Sequence, residues 1–308
     1  MPLLIPPELQ QHILRGVSDE AKRAPNPNGR QSLRTCSLVC KAWHLWTLEH
    51  TFEKLRIPAT PRQTGAKDLR SYLARQTPRA RLDQLLDLLE SNPRIGEAVK
   101  ILEVFIYGMP DTPAPAREPP MQYITPDQFS RLSRYITRPE TLIVRSSSPY
   151  DIAFYPGFLD GLCNLCWTTT LRSLSFFCPT FPKVLLTYAP NIQEFRASFS
   201  TMSNAVPQRT THPQAFDKQL PRLRTLRILR PSPSKLQDLQ DFVQSNSRLS
   251  NLFSCLEEVE IDIEDANEYP HPWKSQLFSS NLQHLVLFTD IHLHDSQCSI
   301  HSTSFFAG

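Results

Sequence analysis

Glycine is scarce in this sequence, with 8 glycines against 28 prolines in 308 residues. Phosphate-cradling loops need several glycines, and the sequence contains neither G-x-G-x-x-G nor G-x-x-x-x-G-K-[ST]. The hydrolase motif G-x-S-x-G and the metalloprotease motif H-E-x-x-H are missing as well. These absences lower the expectation of a nucleotide-dependent enzyme or a hydrolase. The many prolines predict short elements with firm ends.

Long hydrophobic runs and a dense framework of cysteines are also missing. No apolar run approaches the ~18 residues of a membrane-spanning helix, and the N-terminus has neither the basic start nor the apolar segment of a secretory signal. The seven cysteines are odd in number and lack the dense spacing of a disulfide framework, which favours a reducing compartment. We therefore expect a cytoplasmic or nuclear protein without a membrane partner.

The net charge is modest, at +3, but basic residues concentrate between Lys54 and Arg81. This segment has eight basic residues and one acidic residue, Asp68. A basic patch can attract nucleic acid or an acidic protein surface. Because prolines interrupt the charges, we expect a solvated surface or one that faces an acidic protein, and no nucleic-acid partner.

The segment "LRTCSLVCKAWHLW" predicts a helix over residues 33–48. Cys36, Cys40 and Trp43 fall on its wide apolar side, whereas His44 falls on a narrow polar stripe. That separation opposes a metal site shared by the cysteines and the histidine. The N-terminal region is too small to bury so much apolar surface alone, so a neighbour or a partner is expected to cover part of it.

The segment "IPPELQQHIL", which predicts a short helix, and the later "LRTCSLVCKAW" together resemble an F-box. That motif opens with Leu/Ile-Pro-x-Glu-Leu and continues with Ser-Leu-Val-Cys-x-x-Trp. The resemblance covers residues 4–57, with a longer loop than usual at 22–30, and implies a three-helix domain. It also implies binding to a Skp1-type adaptor and through it to a cullin. The residues implied as Skp1-binding are Ile5, Pro6, Pro7, Leu9, Ile13, Leu14, Leu38, Val39 and Trp43.

Beyond residue 57 helical segments alternate with strands of the form apolar-x-x-apolar-x-apolar. Units of about 20–40 residues that each supply a strand and a helix predict an α/β solenoid, with parallel strands inside and helices outside. The pattern resembles a degenerate leucine-rich repeat in which the usual Asn or Cys after the strand is mostly missing. An F-box followed by such repeats is similar to the divergent F-box proteins of mushroom-forming fungi. The strands are predicted at 101–106, 139–144, 171–176, 192–197, 223–228, 256–261 and 282–287.

Alternation within each strand sends one set of side chains to the core and the other set to an open face. Solenoids use such extended faces to bind partners, so these outward residues are candidates for substrate binding. A merely solvated sheet face is the alternative interpretation. The candidates are Glu194, Arg196, Thr225, Arg227, Glu258, Glu260 and His284.

The chain is predicted to comprise an F-box at 1–57, a helical linker or N-terminal cap at 58–100, and the solenoid at 101–290. Residues 291–308 are expected to form a disordered or truncated tail. The resemblance implies a substrate-recognition adaptor of a Skp1–cullin–F-box ubiquitin ligase, which presents an unknown protein substrate for degradation. Such a chain is not itself an enzyme and needs no cofactor or metal.

Two other functions are open alternatives. One is a ubiquitin-independent interaction scaffold whose F-box-like helices dock on its own first repeats. The other, more remote, is a metal- or thiol-dependent enzyme that uses Cys163 and Cys166 of "CNLC" with His292, His294 and His301. The CNLC spacing suits zinc or redox chemistry, but it falls late in a predicted helix, whereas a thioredoxin-type motif opens one. Packing of these cysteines as small hydrophobic residues is therefore favoured.

Overall fold

The computed structural model describes residues 9, 12–13, 15–17, 19, 32, 35–36, 38, 41–57, 78–106, 124–146, 156–198, 201–207, 222–229, 233–246, 249, 251–263, 284–289 and 302–306. Five of its helices begin at a proline, which suits the first helical position because the missing N–H has no partner there anyway. The helices are α1 (Lys41–Phe52), α2 (Pro78–Ser91), α3 (Pro93–Ala98), α4 (Pro126–Tyr135), α5 (Pro156–Cys166), α6 (Val184–Thr187) and α7 (Pro233–Ser245). The strands are β1 (Lys54–Ile57), β2 (Ile101–Ile106), β3 (Thr141–Ser146), β4 (Ser173–Phe177), β5 (Thr180–Pro182), β6 (Glu194–Ser198), β7 (Thr201–Ser203), β8 (Thr225–Leu229), β9 (Glu258–Ile263), β10 (His284–Thr289) and β11 (Ser302–Phe306).

Nine of the described strands form one sheet in the order β1-β2-β3-β4-β6-β8-β9-β10-β11. Neighbouring strands are parallel from β1 to β10, and β11 runs antiparallel to β10. The short strands β5 and β7 pair separately, also in parallel. Because parallel neighbours need a crossover, most connections carry a helix and the strands follow one another in chain order. The predicted α/β class with a mostly parallel sheet is confirmed.

The core lies between one face of this sheet and the helices. Each central strand contributes two buried apolar side chains at alternate positions, as Leu102 and Val104 do in β2. Helices α4 and α5 pack closely, with the rings of Phe129 and Phe158 stacked 4.1 Å apart. Gly161 permits this approach, because a Cβ there would lie 2.6 Å from the Phe129 ring.

Six of the seven predicted strands begin two residues too early. In three of these motifs the first apolar residue, Leu171, Ile192 or Leu256, is buried but closes a turn before the strand begins. The N–H of Leu171, for example, donates to Thr168 O (3.3 Å), and the N–H of Leu256 donates to Phe253 O (3.2 Å). The motif therefore marks a turn and a strand together.

A repeated hydrogen-bond arrangement fixes the register of neighbouring strands. The carbonyl of Glu53, just before β1, accepts the N–H groups of Lys100 and Ile101, both at 2.9 Å. The carbonyl of Lys100 in turn accepts the N–H groups of Glu140 (2.7 Å) and Thr141 (2.9 Å) before and at the start of β3. The same pairing of one carbonyl with two N–H groups recurs at the starts of β4, β6, β8 and β9. Each strand is thus aligned on its predecessor before the ladder begins.

The helix predicted at 33–48 differs from the structure. Residues Thr35 and Cys36 are helical, but Leu38 lies in a turn and its N–H donates to Thr35 O (3.1 Å). Helix α1 then runs to Phe52, beyond the predicted end. It continues because Leu48 and Phe52 pack against the core.

The predicted domain boundaries at 57 and 100 do not divide the core. Strand β1 belongs to the main sheet, with Lys54 opposite Ile101. Ile57 and the α2 residue Leu86 lie in the same cluster as Leu102. The helices of residues 78–100 pack on the sheet domain, as the predicted N-terminal cap would, and residues 58–77 lie outside the described residues. Of the predicted tail at 291–308 only Ser302–Phe306 are described, and they pair with β10 in antiparallel orientation.

Candidate functional site

The open face of the sheet is the side that the described helices leave exposed. Six of the sequence-predicted substrate residues lie on it in two rows that cross neighbouring strands, and His284 enters the first row by its backbone register. One row joins Glu194, Thr225, Glu258 and His284, which are successive register partners. The second row joins Arg196, Arg227 and Glu260. The structure therefore places all seven positions together on four adjacent strands.

Charges in this C-terminal half of the open face are paired with one another. Arg227 lies between two carboxylates, with Nη2 3.2 Å from Glu258 Oε1 and Nε 3.0 Å from Glu260 Oε2. Arg196 Nε lies 3.4 Å from Glu194 Oε1 within the same strand. Each arginine thus faces at least one carboxylate, and the cluster has no excess of cations.

The N-terminal half of the open face carries a cluster that the sequence analysis did not identify. Glu103 of β2 is 5% exposed, although it lies on the sheet face away from the core residues Leu102 and Val104. Its carboxylate is approached by Lys54 Nζ (3.8 Å), Arg56 Nε (3.5 Å) and Arg145 Nε (2.9 Å). We call Lys54, Arg56 and Arg145 the cationic triad.

Aromatic rings hold the two arginines of the cationic triad in place. The guanidinium carbon of Arg56 lies 4.8 Å from the centroid of the Phe105 ring, and that of Arg145 lies 4.7 Å from the centroid of Phe177. Such cation–π contacts stabilise a guanidinium without neutralising it. A sequence signal for the cluster exists, because a single glutamate interrupts the apolar strand "ILEVFI". It was missed because its partners lie on β1 and β3, strands that no local pattern pairs with it.

The residues implied as Skp1-binding are only partly described. Leu9, Ile13 and Leu38 are respectively 55%, 43% and 85% exposed, and Trp43 is half-buried. The other predicted contacts lie outside the described residues: Ile5, Pro6, Pro7, Leu14 and Val39. Cys40 of the opening motif also lies outside them.

Helix α1 packs on α3 by its C-terminal part. Thr47 is buried and its hydroxyl donates to the carbonyls of Trp43 and His44, both at 2.8 Å. His44 is exposed, as its place on the polar stripe predicts, and Cys36 is partly buried. The described apolar residues of the motif are therefore the half-buried Trp43, Leu45 and Trp46 and the exposed Leu38.

The cysteines of "CNLC" end helix α5 and face the core. Burial raises the pKa of Cys166 to about 12 and raises that of Cys163 further, with smaller contributions there from Cys166 and Asp160. Such thiols stay protonated and poorly nucleophilic at neutral pH. Among the described residues no group of three or more His, Cys, Asp or Glu side chains could hold a metal ion. The tail residues His292, His294 and His301 lie outside them.

Within the part of the chain that the structure describes, every helix is too short or too polar to cross a membrane. Neither a protein-family model nor a curated protein nor a solved structure matches this chain.

Proposed function

We propose that this chain is the substrate-recognition adaptor of a Skp1–cullin–F-box ubiquitin ligase. In this proposal the F-box-like N-terminal segment binds a Skp1-type protein and through it a cullin. The sheet domain is a degenerate leucine-rich-repeat solenoid, and its open face holds a protein substrate. The chain itself performs no catalysis, and its role is to raise the effective concentration of a target lysine near the conjugating enzyme.

The observation that carries the adaptor proposal is the exposure of Leu38. A leucine at 85% exposure loses most of the ~1.5–3 kcal/mol that its burial would contribute. It lies in a turn just before α1, within the Ser-Leu-Val-Cys part of the F-box-like motif. An apolar side chain held in this way is available to a partner at the position where the motif implies one.

The packing of α1 against the sheet domain also supports the proposal. Helix α1 packs on α3, and the strand that follows it hydrogen-bonds to β2 in register. An adaptor bound to the segment before α1 would therefore be joined to the open face through a continuous sheet. A stiff connection of this kind favours the proximity mechanism, because it holds the two partners at a defined separation.

Co-purification of the full chain with a Skp1-type protein tests the proposal. Leu38→Asp should abolish binding without changing the melting temperature, because the side chain makes almost no contact within the chain. Val206→Asp is the matched control, since Val206 is 72% exposed and lies far along the sequence in the segment after β7. Failure of the wild-type protein to bind, or equal loss in both variants, would contradict the adaptor role.

A ubiquitin-independent scaffold is the second candidate, and the packing of α1 and β1 on the sheet domain favours it. In that case the N-terminal motif exists to complete the first repeat. Deleting residues 1–40 separates the two candidates, because the deletion leaves α1 and β1 in place. Both candidates keep their substrate after the deletion. An adaptor binds a Skp1-type protein as the full chain and loses it on deletion, whereas a scaffold binds no Skp1-type protein in either form.

A further inference from the structure

We propose that the cationic triad is a binding site for an extended acidic segment of a partner protein. The proposal deepens the proposed function, because that partner is then the recruited substrate. It rests on the geometry around Glu103 and is tested without any ligase component.

Charge balance is the first argument. One carboxylate, Glu103, faces three cations within 4 Å, so the cluster of four side chains carries an excess of two positive charges. The C-terminal half of the open face differs, since Arg227 there is shared by two glutamates. Complementary charge at this end of the sheet is therefore supplied by a partner, and the partner must be acidic.

The geometry of the guanidinium groups is the second argument. Arg56 and Arg145 both approach Glu103 through Nε, on its two different carboxylate oxygens. The structure gives the terminal nitrogens of these two arginines no hydrogen-bond partner among the described residues. Phe105 and Phe177 fix the planes of the two groups, so the outward forks suit bidentate binding of carboxylates with little loss of side-chain freedom.

The aromatic residues also discriminate against nucleic acid. Single-stranded nucleic acids bind by stacking bases on exposed aromatic faces along a continuous basic groove. Here a guanidinium covers each ring, and the described open face has no continuous row of unpaired cations, because Arg196 and Arg227 toward its other end are paired with glutamates. A short acidic peptide needs neither exposed aromatic faces nor a continuous basic groove. Its alternate carboxylates, about 7 Å apart on one side of an extended chain, would reach the two arginines together.

The experiment measures fluorescence anisotropy of labelled decapeptides with the full-length protein. The probe is a peptide of alternating Glu and Thr, and its control has Gln for every Glu. We expect the Glu peptide to bind at least about tenfold more tightly than the Gln peptide, since each charge-assisted hydrogen bond contributes roughly this factor. A length-matched oligothymidylate should bind more weakly than the Glu peptide.

Two variants give opposite shifts, which a general loss of folding cannot do. Arg56→Gln should weaken the Glu peptide about tenfold, and Arg145 still pairs with Glu103 in that variant. Glu103→Gln should strengthen it severalfold, because it removes the carboxylate that competes for the same donors. Arg131→Gln is the matched control. Arg131 is a surface arginine of α4, on the helix side of the sheet, where Nη2 pairs with Glu90 Oε2 at 3.4 Å, so the affinity should stay within about twofold.

The outcomes separate this site from the adaptor role. Absence of Glu-peptide binding, a weaker Glu103→Gln complex in a variant that melts normally, or tighter binding of the oligothymidylate overturns the acidic-segment site. None of these results affects Skp1 co-purification, which is measured on the same protein. Conversely, loss of Skp1 binding with intact peptide binding overturns the adaptor role alone.

Discussion

Replacement of Gly96 by alanine tests how the N-terminal segment is attached to the sheet domain. Gly96 lies buried in α3, the helix on which α1 packs. A Cβ at this position would overlap the carbonyl oxygen of Tyr135 and lie 2.9 Å from its carbonyl carbon. Tyr135 ends α4, so the obstacle is backbone and no change of rotamer relieves it.

The expected loss of stability follows from two opposing contributions. Alanine is intrinsically better than glycine in a helix by about 0.5–1 kcal/mol. Overpacking costs about 1–3 kcal/mol and more where backbone must move, and here α3 must shift away from α4. The net result is a destabilisation of about 2 kcal/mol, which lowers the melting temperature by about 4–8 °C in a domain of this size.

Thermal unfolding followed by circular dichroism measures this effect. Gly16→Ala is the matched control, because Gly16 is helical and a Cβ there would meet nothing within 4 Å. That variant should be neutral or slightly stabilised. If Gly96→Ala melts at or above the wild-type temperature, α3 and α4 do not make the close contact described above. The packing of α1 on α3, which depends on that contact, would then also be refuted.

Three further predictions concern the core thiols and the start of α4. Because burial raises the pKa of Cys166 from 9.0 to about 12, the folded state keeps its thiol neutral where the unfolded state ionises. The stability that results is complete below about pH 9 and falls as the pH rises above it, and urea titrations between pH 7 and pH 11 should show this decline. Iodoacetamide at pH 8 should modify the partly exposed Cys255 in the native protein and leave Cys163 and Cys166 unmodified until denaturant is added. At α4, Thr125 and Gln128 form a capping box with N···O distances of 3.2 and 3.1 Å, so Thr125→Ala should cost about 1 kcal/mol and Thr125→Ser much less, by urea unfolding.

The sheet could be predicted from the sequence because its strands repeat one local pattern. The alternation in "LRTLRI" or "LEEVEI" places Leu226 and Val259 inside and Arg227 and Glu260 outside, and the structure shows this division. Parallel pairing followed from the intervening helices. The predicted strand starts were wrong by two residues because an apolar residue buried in a turn gives the same periodic signal as one buried in a strand.

The cationic triad could not be predicted because its members belong to distant segments. Arg56 is separated from β2 by a segment without the repeat pattern. Arg145 follows "PETLIV", the weakest of the strand motifs. The charges come within 4 Å because Arg56 is the register partner of Glu103 across β1 and β2, and because β3, which carries Arg145, pairs with β2. The C-terminal rows were easier to predict because Arg196, Arg227 and Glu260 occupy the same position in three successive copies of the motif.

The difference in exposure between Leu38 and the half-buried residues of α1 in the "LRTCSLVCKAWHLW" motif depends on four residues that lie outside it. Strand β1, at Lys54–Ile57, is added to the sheet, and this fixes the helix before it against α3. Leu48 and Phe52, which follow the motif in α1, thereby pack against the core, whereas Leu38 lies before α1, in a turn that this packing does not reach. Leucine and tryptophan look equivalent in an apolar pattern, so the sequence predicts an excess of apolar surface without locating it. Because Leu38 is 85% exposed, a single substitution there can remove a partner while the fold stays intact.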